Sequence, residues 1–153
     1  MTVQSTVRYT LLIKSLQNCN AMPTHSTELS IPARFAELPG VLASVVKLAQ
    51  ELGVSVNDVS RIQLVIEELV SNSIKHGYGG ECDQLLTIAM CPSSGGVTLL
   101  YRDQAEPFDL SLMSATDPVE GQIGGLGINL ILGMARQIRY QRIAGSNITE
   151  IDL

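Results

Sequence analysis

Residues 60–80 read SRIQLVIEELVSNSIKHGYGG, and the rest of the chain is interpreted outward from them. Ile62, Val65, Ile66, Leu69, Val70, Ser73 and Ile74 recur at three- and four-residue steps, the stripe by which an amphipathic helix faces a core. Glu68 and Asn72 stand four apart, one turn above each other beside that stripe. Lys75 and His76 continue the same side. Asn and His form helices about 0.5 kcal/mol less readily than Ala, so propensity does not account for them. The run Gly77-Tyr78-Gly79-Gly80 supplies a helix stop. A carboxylate and a carboxamide on one edge of a core helix could hold a metal ion and position a water or hydroxyl. The plainer alternative is a buried-edge Asn that bonds only its neighbours.

Upstream, residues 27–31 alternate polar and apolar side chains and stop at Pro32, as a short strand does. Pro39 and Gly40 punctuate the chain before a second helical pattern, with Val41, Leu42, Val45, Leu48, Ala49 and Leu52 in register and Gly53 as its stop. Asn57 or Asp58 is placed to cap the helix that follows. Downstream, residues 85–91 and 97–103 read as strands joined by the hairpin sequence PSSGG. Residues 110–122 have no period, and such a length inside a small domain is usually a functional lid or a disordered loop. A helix is predicted over 128–138, then a hairpin of strands 137–142 and 147–153 turned at Ala144-Gly145-Ser146. This order predicts an α+β fold, a two-layer α/β sandwich with a mixed, mostly antiparallel sheet and helices on one face. One domain is expected over residues 27–153, after an N-terminal arm or extension, residues 1–26, to which no role is assigned.

The chain has 153 residues, 45% hydrophobic and 16% charged, which suits one globular core. Ten Lys and Arg against fifteen Asp and Glu give a formal charge of -5 with no basic cluster, so direct nucleic-acid binding is not expected. Cys19, Cys82 and Cys91 are odd in number and lack C-x-x-C spacing. That argues against a disulfide framework and a zinc site, and for a reducing cytoplasm. No apolar run approaches the roughly 18 residues that span a bilayer, and the patch at residues 11–13 is too short for an export signal.

Three further features carry chemistry. Gly124, Gly125 and Gly127 precede a helix, and glycines before a helix N-terminus outline a phosphate cradle or, more plainly, a flexible turn. No G-K-[ST] follows, so this is not a P-loop. Asp103 closes a strand, where its carboxylate could accept a hydrogen bond from an exocyclic amine or form an Asx-turn. Thr149 lies in the last strand, where most threonines are simply strand formers.

Taken in order, the stretches EELVSNSIKHGYG, DQAEPFD, IGGLGINLI and YQRIAGSNITEIDL resemble the GHKL ATPase superfamily with its Bergerat nucleotide fold. They are most similar to its small bacterial branch, the anti-sigma-factor serine/threonine kinases. The resemblance covers about residues 29–153. It implies that Asn72 coordinates Mg²⁺ bridging the phosphates of ATP and that Glu68 is the general base toward a substrate serine. It implies nucleotide-side roles for Lys75, His76 and Gly77, adenine reading by Asp103 with Thr149 in support, and Ala105 and Phe108 as part of the same pocket. Gly124, Gly125, Leu126, Gly127 and Ile128 match the lid hinge and helix start that enclose the phosphates. Expected partners are a sigma factor and a small STAS-type anti-sigma-factor antagonist, with a homodimer and a cytoplasmic location. Mg²⁺ needs few protein ligands beyond phosphate oxygens, and phosphoryl transfer needs positioning, charge neutralisation and one base.

Two departures from that pattern stand out. Ala105 occupies a position where the family usually has glycine, and residues 110–122 contain no Lys or Arg. Cationic help at the γ-phosphate would then come from Lys75, Arg136 or a partner. An ATP-binding regulatory module without phosphoryl transfer is therefore a second reading. A histidine-kinase catalytic domain ranks last, since His25 is the one upstream phosphoacceptor candidate.

Overall fold

The computed structural model describes residues 28–114 and 126–153. The N-terminal arm, Cys19, Gly124, Gly125 and most of the expected lid lie outside the described residues. Strand β1 (Glu28–Pro32) leads through a short 3-10 turn (Phe35–Glu37) into helices α1 (Leu38–Glu51) and α2 (Val56–Asn72). Strands β2 (Leu85–Ser93) and β3 (Gly96–Asp103) follow, then a 3-10 turn (Leu110–Leu112), helix α3 (Leu126–Met134) and strands β4 (Gln137–Ile143) and β5 (Ser146–Asp152). The sheet order is β1-β2-β3-β5-β4, and every described pairing is antiparallel. Pro32 is tolerated because β1 is an edge strand, where a missing N–H breaks no ladder.

All seven stripe residues from Ile62 to Ile74 are buried. They pack, with Val41, Val45, Leu48 and Ala49 of α1 and Ile131 of α3, onto one face of the sheet formed by Leu86, Ile88, Met90, Leu99, Tyr101 and Ile151. Each fully buried aliphatic side chain contributes about 1.5–3 kcal/mol, so the helical stripe is a main source of stability. The opposite sheet face carries a small cluster of Ala89, Leu100 and Ile148 with Ile143. The α+β two-layer architecture expected from the sequence is the observed one.

Three local expectations are corrected. The cap of α2 is Ser55, not Asn57 or Asp58: its Oγ accepts the Asp58 N–H at 3.2 Å and donates to the Asp58 carboxylate at 2.6 Å, a reciprocal cap in the manner of a capping box. Pro39 lies inside the first turn of α1 rather than before it, where a missing N–H is harmless. Helix α3 stops at Met134, short of residue 138. The Arg136 N–H already bonds the Asp152 carbonyl at 2.8 Å, so the chain has joined the sheet.

Candidate functional site

Asn72 ends α2, and the chain then widens. The Tyr78 N–H reaches back five residues to the Ser73 carbonyl at 2.8 Å, a π-type turn over Ser73–Gly77. Such turns recur at functional sites because they re-aim the side chains beyond them. Here Ser73 turns into the body, His76 and Gly77 face a cavity, and Lys75 turns outward, its Nζ 5.7 Å from the centre of the Phe35 ring. Gly79 and Gly80, at φ +72° and +151°, then release the chain in conformations that a side chain would resist.

The cavity, about 210 Å³, lies between this turn, the end of β3 and its following loop, Ile128 of α3, and β5. Leu69, Tyr101, Pro107, Phe108, Leu110 and Ile128 make it mainly apolar. Its polar groups are few: Asn72, Asp103 and Asn147 stand among those lining it, with Thr149 beside them. An apolar slot with a handful of oriented polar groups is the usual form of a small-molecule site.

Asp103 is 8% exposed and sits at the end of β3. Its Oδ1 accepts from the Ala105 N–H at 3.1 Å, an Asx-turn, and from Asn147 Nδ2 at 2.7 Å. Its Oδ2 accepts from Ser73 Oγ at 2.6 Å. Ser73 in turn accepts from the Tyr101 hydroxyl at 2.8 Å. Burial pushes the Tyr101 phenol well above its ordinary range, so it stays a donor. A carboxylate has about four acceptor positions, and three are used here, which leaves one on Oδ2.

Asn72 presents a different kind of polarity. Its Nδ2 is enclosed and has no hydrogen-bond partner. Leaving a buried amide unpaired costs about 1–3 kcal/mol, and native structures keep such groups where a ligand or function calls for them. One turn earlier, Glu68 projects to the start of α3: a methyl added at Gly127 would meet the Glu68 carboxylate. The negative side chain thus faces the positive end of a helix dipole. Glycine at 127 is what makes room for it.

The alanine at 105 is accommodated. Ala105 is not among the positive-φ residues, so its backbone needs no glycine. Its methyl instead fills the space over Gly77, where an added Cβ would lie 2.6 Å from Ala105 Cβ.

Of the residues singled out from sequence, Asn72, His76, Gly77, Asp103, Ala105, Phe108, Ile128 and Thr149 line one cavity. Glu68 and Gly127 meet each other, and Leu126 is exposed at the start of α3. Lys75 is not brought to the cavity, and Arg136 is tied to the carbonyls of Gly95 and Leu153 at 2.9 and 2.6 Å. Sequence reasoning missed Asn147, Tyr101 and the polar role of Ser73. The available signal was alternation: counting back from Thr149 by two puts Asn147 on the inner face of β5, where a polar side chain needs partners.

Residues 31–153 match the family model described as "Histidine kinase-like ATPase domain". No curated protein sequence matches the chain. Among solved structures, the chain is similar to the RsbU and RsbW domains of Rv1364c from Mycobacterium tuberculosis, with 21% identity and a TM-score of 0.53. That match covers 82% of this chain and 32% of the other, so the chain spans about a third of that structure's length. At this identity the likeness is one of fold.

Proposed function

The chain belongs to the histidine kinase-like ATPase domain family, and from that premise we propose that it is an ATP- and Mg²⁺-dependent serine/threonine kinase of the anti-sigma-factor type. It would phosphorylate a small anti-sigma-factor antagonist on serine and sequester a sigma factor, as a cytoplasmic homodimer. One observation carries the reading: the carboxamide-bearing Asn72 and the buried carboxylate of Asp103 line the same cavity. A carboxamide of this kind suits a metal shared with phosphate oxygens, because Mg²⁺ takes hard oxygen donors and keeps the rest of its shell as water. When bound, the ion would draw charge from the phosphate oxygens.

The chain's own residues then divide the work. Asp103 offers its free acceptor position to the amine of adenine, between the apolar walls formed by Leu69, Phe108 and Ile128. Glu68 holds a carboxylate at the start of α3, beside Asn72, and takes the proton of an acceptor hydroxyl. Gly127 and Ile128, with Leu126, enclose the phosphate end, and Thr149, between Tyr101 and Tyr140 in register, backs the base.

The second reading, an ATP-binding module without transfer, is favoured by the cations. Among the described residues Lys75 lies over Phe35 and Arg136 is bound elsewhere, so neither serves the γ-phosphate. The test is a pull-down from the native host with and without ATP, followed by phosphosite mapping on the retained small protein. A serine phosphate that appears with wild type and not with Glu68→Ala supports the kinase. ATP binding with no labelled partner turns the conclusion to the module, and no ATP binding removes both.

A further inference from the structure

Asn147 is only 5% exposed on the inner face of β5, a costly place for an amide unless each polar atom is partnered. Every one is. Its nitrogen lies 2.7 Å from Asp103 Oδ1 and 3.0 and 3.2 Å from the carbonyls of Glu106 and Ala105. Its oxygen accepts from the Tyr140 hydroxyl at 2.7 Å and from Arg142 Nη1 at 2.6 Å. Arg142 Nη1 also donates to the Ala105 carbonyl at 2.9 Å. Donors surround one end of the amide and acceptors the other, so only one orientation is satisfied.

These contacts tie the turn after β3 to the β4–β5 hairpin. From the other side the Tyr78 hydroxyl accepts the Gln104 N–H at 2.8 Å. Asn147 and the Ala105 N–H together saturate Asp103 Oδ1, and Ser73 takes one position of Oδ2. The rotamer of the carboxylate, and the direction of its one spare acceptor position, are therefore set by Asn147 acting with Ser73 and the Ala105 N–H.

We propose that Asn147 is a positioning residue that acts through Asp103 to select a base carrying an amine where hypoxanthine carries a carbonyl. This rests on Asp103 facing the base, as proposed above. A preorganised acceptor discriminates by leaving itself unpaired with the wrong base, and a carboxylate free to rotate loses that advantage.

The test is calorimetric titration of the full chain with ATP and with ITP, each with Mg²⁺, together with thermal melting. Asn147→Ala removes the amide, and Asn147→Asp keeps its shape and the contacts of Tyr140 and Arg142 while replacing the donor with an acceptor. Both should weaken ATP about tenfold. Asn147→Ala should leave ITP within about twofold, whereas in Asn147→Asp the two adjoining carboxylates share a proton, which favours ITP. On an Asp103→Ala background, Asn147→Ala should change ATP affinity by less than about twofold, since two residues acting as one unit are not additive. An unchanged ATP-to-ITP ratio in a folded variant overturns the proposal, as do losses that multiply in the double variant. It is equally overturned if neither variant folds, because the residue then holds the fold and not the carboxylate. A wild type that binds ATP and ITP alike removes the base-reading role of Asp103 itself, which is a different failure.

Discussion

The carboxylate of Glu68 occupies the place that a side chain at Gly127 would need: a methyl added at 127 would fall on Glu68 Oε2 and 2.5 Å from its Cδ. Two stretches far apart in the chain, the end half of α2 and the start of α3, are thereby joined at the position where a proton acceptor is proposed. The atoms in the way are the far end of a flexible side chain, so Gly127→Ala should be cheap in stability, below about 1 kcal/mol. It should nonetheless displace the carboxylate. The expected result is a melting temperature near wild type with phosphate transfer down about tenfold or more, within the range a general base supplies. Shortening the acid in Gly127→Ala/Glu68→Asp should return part of the rate. Transfer unchanged in the single variant would take Glu68 out of the reaction.

Gly77 and Ala105 form a second close pair, and here the obstruction is not flexible. An added Cβ at 77 would stand 2.6 Å from Ala105 Cβ, and Ala105 is 5% exposed at a turn held by three hydrogen-bond partners, Asp103, Arg142 and Asn147. Overpacking of this kind costs about 1–3 kcal/mol. Gly77→Ala should lower the urea midpoint accordingly, and Ala105→Gly added to it should recover most of the loss. A double variant no more stable than Gly77→Ala would show that the strain lies in the backbone of the π-type turn instead.

How much of this was legible in the chain depends on the range over which each feature is encoded. The α2 stripe was readable because a 3.6-residue period repeats through Ile62, Val65, Ile66, Leu69 and Val70, and the core that buries it adds no competing rule. The cap of α2 was misread because Ser55, Asn57 and Asp58 are all good cap residues, and only the geometry shows that Asp58 completes a cap begun by Ser55. Lys75 was placed with Asn72 by straight α-helical counting. The wider turn after Asn72 breaks that count and sends Lys75 to Phe35. Asn147 was legible only as an inner-face position of β5: its partners Asp103, Ala105 and Glu106 are distant in sequence, and no local period connects them.

The edge of the sheet away from the cavity predicts the acid limb of stability. Arg139 meets both carboxylate oxygens of Asp152, at 2.9 and 3.0 Å, and with help from Thr98 holds Asp152 below its ordinary value of 3.8, against a smaller opposing effect of burial. A folded-state pKa below the unfolded one contributes stability that is fully present above the unfolded value and is lost as pH falls through the folded one. Wild type should therefore lose urea resistance as pH falls below about 4. Asp152→Asn should be weaker at neutral pH and flatter below that point. Midpoints at several pH values check this, and parallel curves for the two proteins would sink it.

Asn72 sets stability against function most directly. Its enclosed Nδ2 has no partner, while the apolar Leu69 and Ile128 line the same cavity. Replacing an unsatisfied amide with an apolar group of similar shape is neutral or stabilising, by up to about 1 kcal/mol, because the desolvation penalty disappears. Asn72→Leu should accordingly melt at or above the wild-type temperature. The same change removes the only oxygen donor proposed for the metal, so Mg²⁺-dependent ATP affinity should fall by at least about a hundredfold, a loss in keeping with removal of a buried group that contacts a charged ligand. Titration with and without Mg²⁺ separates the two effects. If Asn72→Leu destabilises the fold and leaves ATP affinity intact, the amide is a structural element of the α2 end, and the metal belongs elsewhere or nowhere in this chain.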